Sequence, residues 1–205
     1  MSKKSEQFWN YNQPDFYHFS EDSIFLVNQV LEFIENKEIK NCADFCSGCG
    51  IIAIELILKK NNLIFDIVEI QEDFKECIKL NLEKSNTLKN INEVFIGDLF
   101  KLKLKRYDLI VCNPPYFLPS DSRLSKIGKR NICRIASKDD FLEELIRFTI
   151  EHLSSKGNAF FVLKLLKTLK LIEDFCNKEK IGFSILAKKN EVFILRIFHL
   201  NINID

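Results

Sequence analysis

The sequence predicts an α/β fold: a mostly parallel seven-stranded sheet with an antiparallel terminal strand and helices on both faces. Three observations predict it. Short β-rich runs alternate with helical runs along most of the 205 residues, the pattern of a parallel sheet covered on both sides. Glycines and carboxylates fall where the strands end, the edge at which open sheets build their sites. The last two strand runs are joined only by Lys188-Lys189-Asn190, a link that permits a hairpin and excludes a helical crossover.

The elements follow in order. Residues 8–20 are aromatic-rich and contain Pro14, so they read as an ordered arm and not a long helix. Ser20 or Asp22 can cap the helix that follows, whose apolar face is Ile24–Val27, Val30, Leu31 and Ile34. A strand over 41–45 leads into the turn Ser47–Gly50 and a helix over 51–59. A second strand, 63–68, ends at Glu69 and precedes a helix over 72–81. A third, 93–96, stops at Gly97-Asp98, and a fourth, 107–112, is closed by two prolines. Asp139 or Asp140 starts a helix to His152, followed by a strand at 158–163 and a helix at 166–177. Strands at 182–187 and 191–199 finish the sheet. The expected organisation is an arm over 1–18 and one domain over 19–205, with no internal repeat.

Composition narrows the function classes. Hydrophobic residues at 46% supply a core, and charged residues at 29% argue against wholesale disorder. Nineteen phenylalanines against one tryptophan and one methionine read as a choice of core filler. No signal peptide and no long apolar run is visible, so neither secretion nor a membrane span is expected. Seven cysteines, an odd number in a chain too large to need staples, are expected as reduced thiols in a cytoplasm. Cys46 and Cys49 have the C-x-x-C spacing of a redox pair or half a zinc site, but no second pair follows. His18, His152 and His199 are scattered, so no metal site is expected. No exposed heptad pattern calls for a dimer, and a monomer is expected.

The chemistry-bearing residues sit at strand ends. Ala43-Asp44-Phe45-Cys46-Ser47-Gly48-Cys49-Gly50 is a strand-to-helix turn in which Gly48 and Gly50 allow close backbone approach to a ligand. Asp44 is a carboxylate suited to a cationic or hydrogen-donating group. Glu69 ends the next strand, 25 residues on, where an acidic residue can accept both hydroxyls of a ribose. Asp98 ends the third strand and can receive an adenine amino group, with Ile70 and Leu99 placed to sandwich the ring. A nicotinamide cofactor would use a similar layout, but the G-x-G-x-x-G spacing is broken by Ala53, and no Walker lysine motif is present. Asn113-Pro114-Pro115-Tyr116 follows the fourth strand. Its prolines stiffen the loop, and Asn113 and the Pro114 carbonyl offer two acceptors for an amine. Tyr116 offers a face for a planar target.

Asp44–Gly50, Glu69, Asp98 and Asn113–Tyr116 together resemble the motifs of class I S-adenosylmethionine-dependent methyltransferases of the amino-methylating branch. The resemblance covers roughly residues 19–199 and implies a Rossmann-like fold with S-adenosylmethionine as cofactor. It implies that the glycine turn, Cys46 included, lies against the methionine part, that Glu69 holds the ribose and that Asp98 holds the adenine. It implies that Asn113-Pro114-Pro115-Tyr116 is the catalytic loop. The implied targets are adenine N6, guanine N2, cytosine N4 or glutamine N5.

Phe19-Ser20, Asp22-Ser23 and Leu26 resemble the N-terminal segment of bacterial tRNA adenine-N6 methyltransferases that modify the adenosine beside the anticodon of a valine tRNA. There the segment closes the cofactor pocket, which implies cofactor-binding roles for Phe19 and Ser20. From Phe117 to Lys138 there are six basic residues and one acidic. Arg123, Lys126, Lys129, Arg130 and Arg134 are therefore expected beside the substrate, where mobile cations suit phosphates. RNA, and tRNA in particular, is the expected partner. Lys101, Lys103, Lys105 and Arg106 make a second basic strip. One departure stands out: where the tRNA family carries alanine-arginine-histidine-glutamate, this chain has Ile135-Ala136-Ser137-Lys138-Asp139. The rivals are glutamine-N5 methylation of a release factor, guanine-N2 methylation of ribosomal RNA and adenine-N6 methylation of DNA. A non-catalytic binding protein on the same fold is a further rival.

Overall fold

The structure is a computed structural model that describes residues 11–117, 125, 126 and 128–200. Seven strands are present: β1 (Asn41–Phe45), β2 (Ile64–Glu69), β3 (Ile91–Ile96), β4 (Tyr107–Cys112), β5 (Leu153–Lys164), β6 (Ile181–Lys189) and β7 (Val192–His199). They form one sheet in the order β3-β2-β1-β4-β5-β7-β6. Every pairing from β3 to β5 is parallel, and β7 runs antiparallel to both neighbours. The antiparallel final strand expected from the short link is there, but it lies inside the sheet, between β5 and β6. Burial explains its place. Phe193, Ile194 and Leu195 of β7 are all buried, whereas β6 keeps several exposed positions and takes the edge.

The helices divide between the two faces. α1 (Glu21–Ile34), α2 (Ile51–Lys59) and α3 (Lys75–Lys84) share one core with Leu109 and Val111 of β4. α5 (Phe141–His152) and α6 (Leu166–Glu179) share the other with Ile110 and Cys112. Four consecutive residues of one strand thus feed two cores alternately, as a pleated strand must.

Residues 11–20 are irregular and are clasped to the domain. The Tyr11 hydroxyl donates to Glu55 on α2, and Asn12 exchanges hydrogen bonds with Asn81 on α3. Phe19 is buried in the first core, and its N–H donates to the Gln13 side chain at 2.8 Å. Ser20 occupies the N-cap position of α1, but its hydroxyl donates to Asp22 and makes no cap bond.

The basic stretch after the tetrapeptide has regular structure of its own among the described residues. It contains a short helix, α4 (Gly128–Ile132), and its base is tied by backbone hydrogen bonds from Phe117 to Arg134 and from Ala136 to Phe117. Two lysines of the second basic strip are held in ion pairs. Lys101 pairs with Asp98 at 3.1 Å and Lys105 with Asp66 at 3.0 Å. All seven cysteines are free thiols. Among the described residues no helix is long and apolar enough to cross a membrane, and no cluster of His, Cys, Asp and Glu could hold a metal ion.

Candidate active site

Chain order reverses between β1 and β4, so their carboxyl ends open a crevice at the topological switch point. The turn after β1 and the tetrapeptide after β4 both enter it. The turn needs left-handed backbone at Cys46 (φ 56°), Gly48 (φ 55°) and Gly50 (φ 76°). Two glycines meet that need without strain, and Cys46 holds a conformation ordinary residues resist. Gly50 is the N-cap of α2 and packs on Ile67 and Ile78, so it shapes the turn without reaching the crevice.

A cavity of about 820 Å³ occupies the crevice, within the usual range for a small-molecule or cofactor site. Cys46, Gly48, Glu69, Ile70, Asp98 and Leu99 line it, together with Asn113 and Pro115. Glu69 is nearly buried, and its carboxylate accepts from the Gly48 N–H at 2.8 Å and the Gln71 N–H at 2.9 Å. Burial pushes its pKa up, and these N–H groups oppose that shift. Asp98 accepts from the Phe100 N–H while facing the same cavity. Ile70 is 57% exposed, an apolar side chain left open at the cavity wall.

Asp44 lies beneath the turn and not on the cavity wall. Its Oδ2 accepts from the Ala53 N–H at 3.2 Å, in the first turn of α2. Its Oδ1 is buried with no partner, as are Ser47 Oγ and Gln71 Oε1. A buried polar atom left unpaired costs about 1–3 kcal/mol. Of the three residues, only Gln71 is on the cavity wall. Glu69 and Asp98 on the cavity wall supply hydrogen-bond acceptors, a set that fits S-adenosylmethionine.

Burial also raises the Asp44 pKa to about 8. In the unfolded chain the group titrates near ~3.9. Between these values the folded protein keeps a proton that the unfolded chain has released. Stability contributed here is therefore present at low pH and lost as pH rises through that window. The melting temperature is expected to fall between pH 5 and pH 8.5, and Asp44→Asn is expected to flatten that fall. Parallel melting curves for the two proteins would contradict the assignment.

A second, smaller cavity of about 280 Å³ lies on the other side of the tetrapeptide. Pro114 and Tyr116 line it, with Ser20, Arg130, Arg134 and Lys164. Asn113, Tyr17 and Cys133 line both cavities, so they mark where the two meet. Asn113 Nδ2 donates to Ser23 Oγ at 3.0 Å. Burial pushes the phenols of Tyr17 and Tyr116 well above their usual range, so neither serves as a base near neutral pH.

The remaining site residues named from sequence are dispersed. Phe19 packs in the core and lines neither cavity, while Ser20 faces the smaller one. Lys129 is held in an ion pair with Asp73 and lines neither cavity. Lys126 is exposed, and Arg123 lies outside the described residues. Tyr17, Gln71, Cys133 and Lys164 were not singled out from sequence. Only the aromatic density of the arm signalled the first of them.

Known proteins match this arrangement. A release factor glutamine methyltransferase of Clostridium botulinum is 28% identical over 189 residues, covering 85% of this chain and 66% of that protein. A tRNA1(Val) (adenine(37)-N6)-methyltransferase of Aliivibrio salmonicida is 28% identical over 137 residues, covering 67% of this chain and 57% of that protein. This chain thus spans between about half and two thirds of the length of these relatives. Among solved structures, the hMettl16 catalytic domain in complex with MAT2A 3'UTR hairpin 6 superposes with a TM-score of 0.72 at 16% identity. That likeness covers 98% of this chain and 79% of the other, and it bears on the fold alone. The methyltransferase small domain description fits residues 18–195, a stretch that takes in the glycine turn, Glu69, Asp98 and Asn113–Tyr116. The family match supports S-adenosylmethionine as the cofactor and methyl transfer from it as the activity. The chain belongs to the methyltransferase small domain family.

Proposed function

We propose that the chain transfers a methyl group from S-adenosylmethionine to a trigonal nitrogen of a macromolecule. One observation carries this reading: Asn113 stands where the two cavities meet, with its amide nitrogen already engaged by Ser23. Its Oδ1 is left to accept from an incoming amine, and the Pro114 carbonyl can take a second hydrogen. Two acceptors on one amine favour a tetrahedral nitrogen and direct its lone pair into the larger cavity. The bound cofactor supplies the electrophilic methyl, so the protein's task is to position and to exclude water. The proton leaves as the nitrogen gains charge, and no strong base is required of the chain.

For the target we propose the exocyclic N6 of an adenine in RNA, tRNA near the anticodon being the expected class. Arg130, Arg134 and Lys164 surround the smaller cavity. Among the described residues the two arginines have no ion-pair partner, and Arg134 lies over the Phe117 ring at 5.2 Å. Such cations suit a phosphate backbone, and the aromatic walls suit an unpaired, flipped base. A second reading has its own support. The release factor glutamine methyltransferase matches more of this chain than the tRNA enzyme does, so breadth of match favours a glutamine amide as target.

The test is transfer of tritium from labelled S-adenosylmethionine to total bacterial tRNA and, separately, to release factor. The expected label is N6-methyladenosine in tRNA. Arg130→Ala/Arg134→Ala is then expected to raise KM for tRNA and to lower the salt slope of binding by about two. Label found only in release factor, as N5-methylglutamine, would overturn the RNA reading.

A further inference from the structure

We infer that Ser23 is a positioning residue for the catalytic loop: its hydroxyl holds the Asn113 amide in the orientation that presents Oδ1 to the target amine. The inference rests on the reading of Asn113 as the acceptor of that amine.

An asparagine amide has a donor end and an acceptor end that differ only by a half-turn. The prolines of the tetrapeptide restrict the backbone, including that of Asn113 itself, but leave its side chain free to rotate. A flipped amide would set NH₂ against the NH₂ of the target, and the site would repel what it must bind. A hydroxyl can accept from the amide NH₂ or donate to its carbonyl, so the direction of the bond sets which end faces the target. Asn113 Nδ2 donates to Ser23 Oγ at 3.0 Å, across 90 residues of sequence. Ser23 is only 4% exposed, on a helix whose Leu26, Val27 and Val30 are buried in the core, so the acceptor is itself held firmly.

Ser23 is the third residue of α1 after its N-cap. A polar side chain there commonly turns back to the cap. Here the backbone alone makes the local bond, Ser23 N–H to the Ser20 carbonyl at 3.1 Å, and the hydroxyl goes to Asn113. The neighbouring residue acts on the other end of the tetrapeptide. Asp22 pairs with Lys164, whose ammonium lies 5.9 Å from the centre of the Tyr116 ring. One helical turn therefore braces both the asparagine and the tyrosine.

Ser23→Val and Ser23→Thr separate the hydroxyl from its shape, since valine and threonine fill the same volume. The first readout is nitrogen-15 NMR of the Asn113 side-chain NH₂, identified by its loss in Asn113→Ala. One proton of the pair is expected to exchange slowly with solvent in the wild type and in Ser23→Thr, and both quickly in Ser23→Val. The second is steady-state transfer to the acceptor that takes label from the wild type. Ser23→Val is expected to lower kcat about tenfold to a hundredfold with cofactor affinity unchanged, and Ser23→Thr to restore most of it. Equal exchange in the valine and threonine variants would overturn the inference. Full activity in Asn113→Ala would instead overturn the underlying reading of Asn113, a result that exchange at Ser23 does not mimic.

Discussion

Replacing Asn113 by alanine is expected to lower methyl transfer about a thousandfold, the scale on which removal of one preorganised polar group slows an enzyme. The binding of S-adenosylmethionine is expected to survive, because the carboxylates proposed to hold it, Glu69 and Asp98, lie at the ends of β2 and β3 and not on this loop. The reason for so large an effect is position. Asn113 borders both cavities, and its Oδ1 is the one side-chain carbonyl of the tetrapeptide. Asn113→Asp keeps an acceptor there but gives up the donor that reaches Ser23. It should retain part of the activity, about a tenth of the wild type. The measurement is single-turnover transfer at saturating cofactor, beside calorimetric titration of the cofactor. Alanine and aspartate variants equally inactive, with cofactor binding lost in both, would mean that the loop serves folding or cofactor binding instead.

The second large effect is expected at Glu69. Its carboxylate joins the glycine turn to the β2 end through the Gly48 and Gln71 N–H groups. Alanine removes the acceptors for the ribose and strands two backbone donors. Charge-assisted hydrogen bonds contribute about 1.5–3 kcal/mol each, so the loss of the ribose contacts alone is worth about a hundredfold in Kd. Glu69→Gln keeps one carbonyl oxygen and is expected to lose about tenfold. Isothermal titration with S-adenosylmethionine and with adenosylhomocysteine checks both variants. A folded Glu69→Ala protein with wild-type affinity would remove Glu69 from the cofactor site.

Much of the fold was legible because strand and helix periods were clean. β1, β4 and α2 begin and end where the apolar runs and the punctuating Gly and Pro residues place them. β5 starts five residues earlier than its apolar run, because Leu153 pairs with Tyr107 across a register break that leaves 154–157 unpaired with β4. α4 was hidden by Gly128 and by a run of cations. The glycine turn, Glu69, Asp98 and the tetrapeptide could be read at strand ends. What could not be read was pairing at a distance. Charge counts made Lys129 and Lys101 look available, but Asp73 and Asp98 hold them. Ser23 and Gln71 likewise matter through partners 90 and 62 residues away.

The strand order also governs how the chain comes together. β1 is the third strand from one edge, yet its other neighbour, β4, arrives more than 60 residues later. Until Tyr107–Cys112 docks, the backbone of Cys42–Phe45 is an open edge flanked by apolar side chains, the kind of edge along which chains stick to one another. The seam at whose end the larger cavity later opens is therefore an exposed edge of the half-made sheet. A fragment ending before Tyr107 would carry Asp44, Glu69 and Asp98 but would be prone to aggregate through β1. Sealing that seam and completing the methyl-transfer site are the same event.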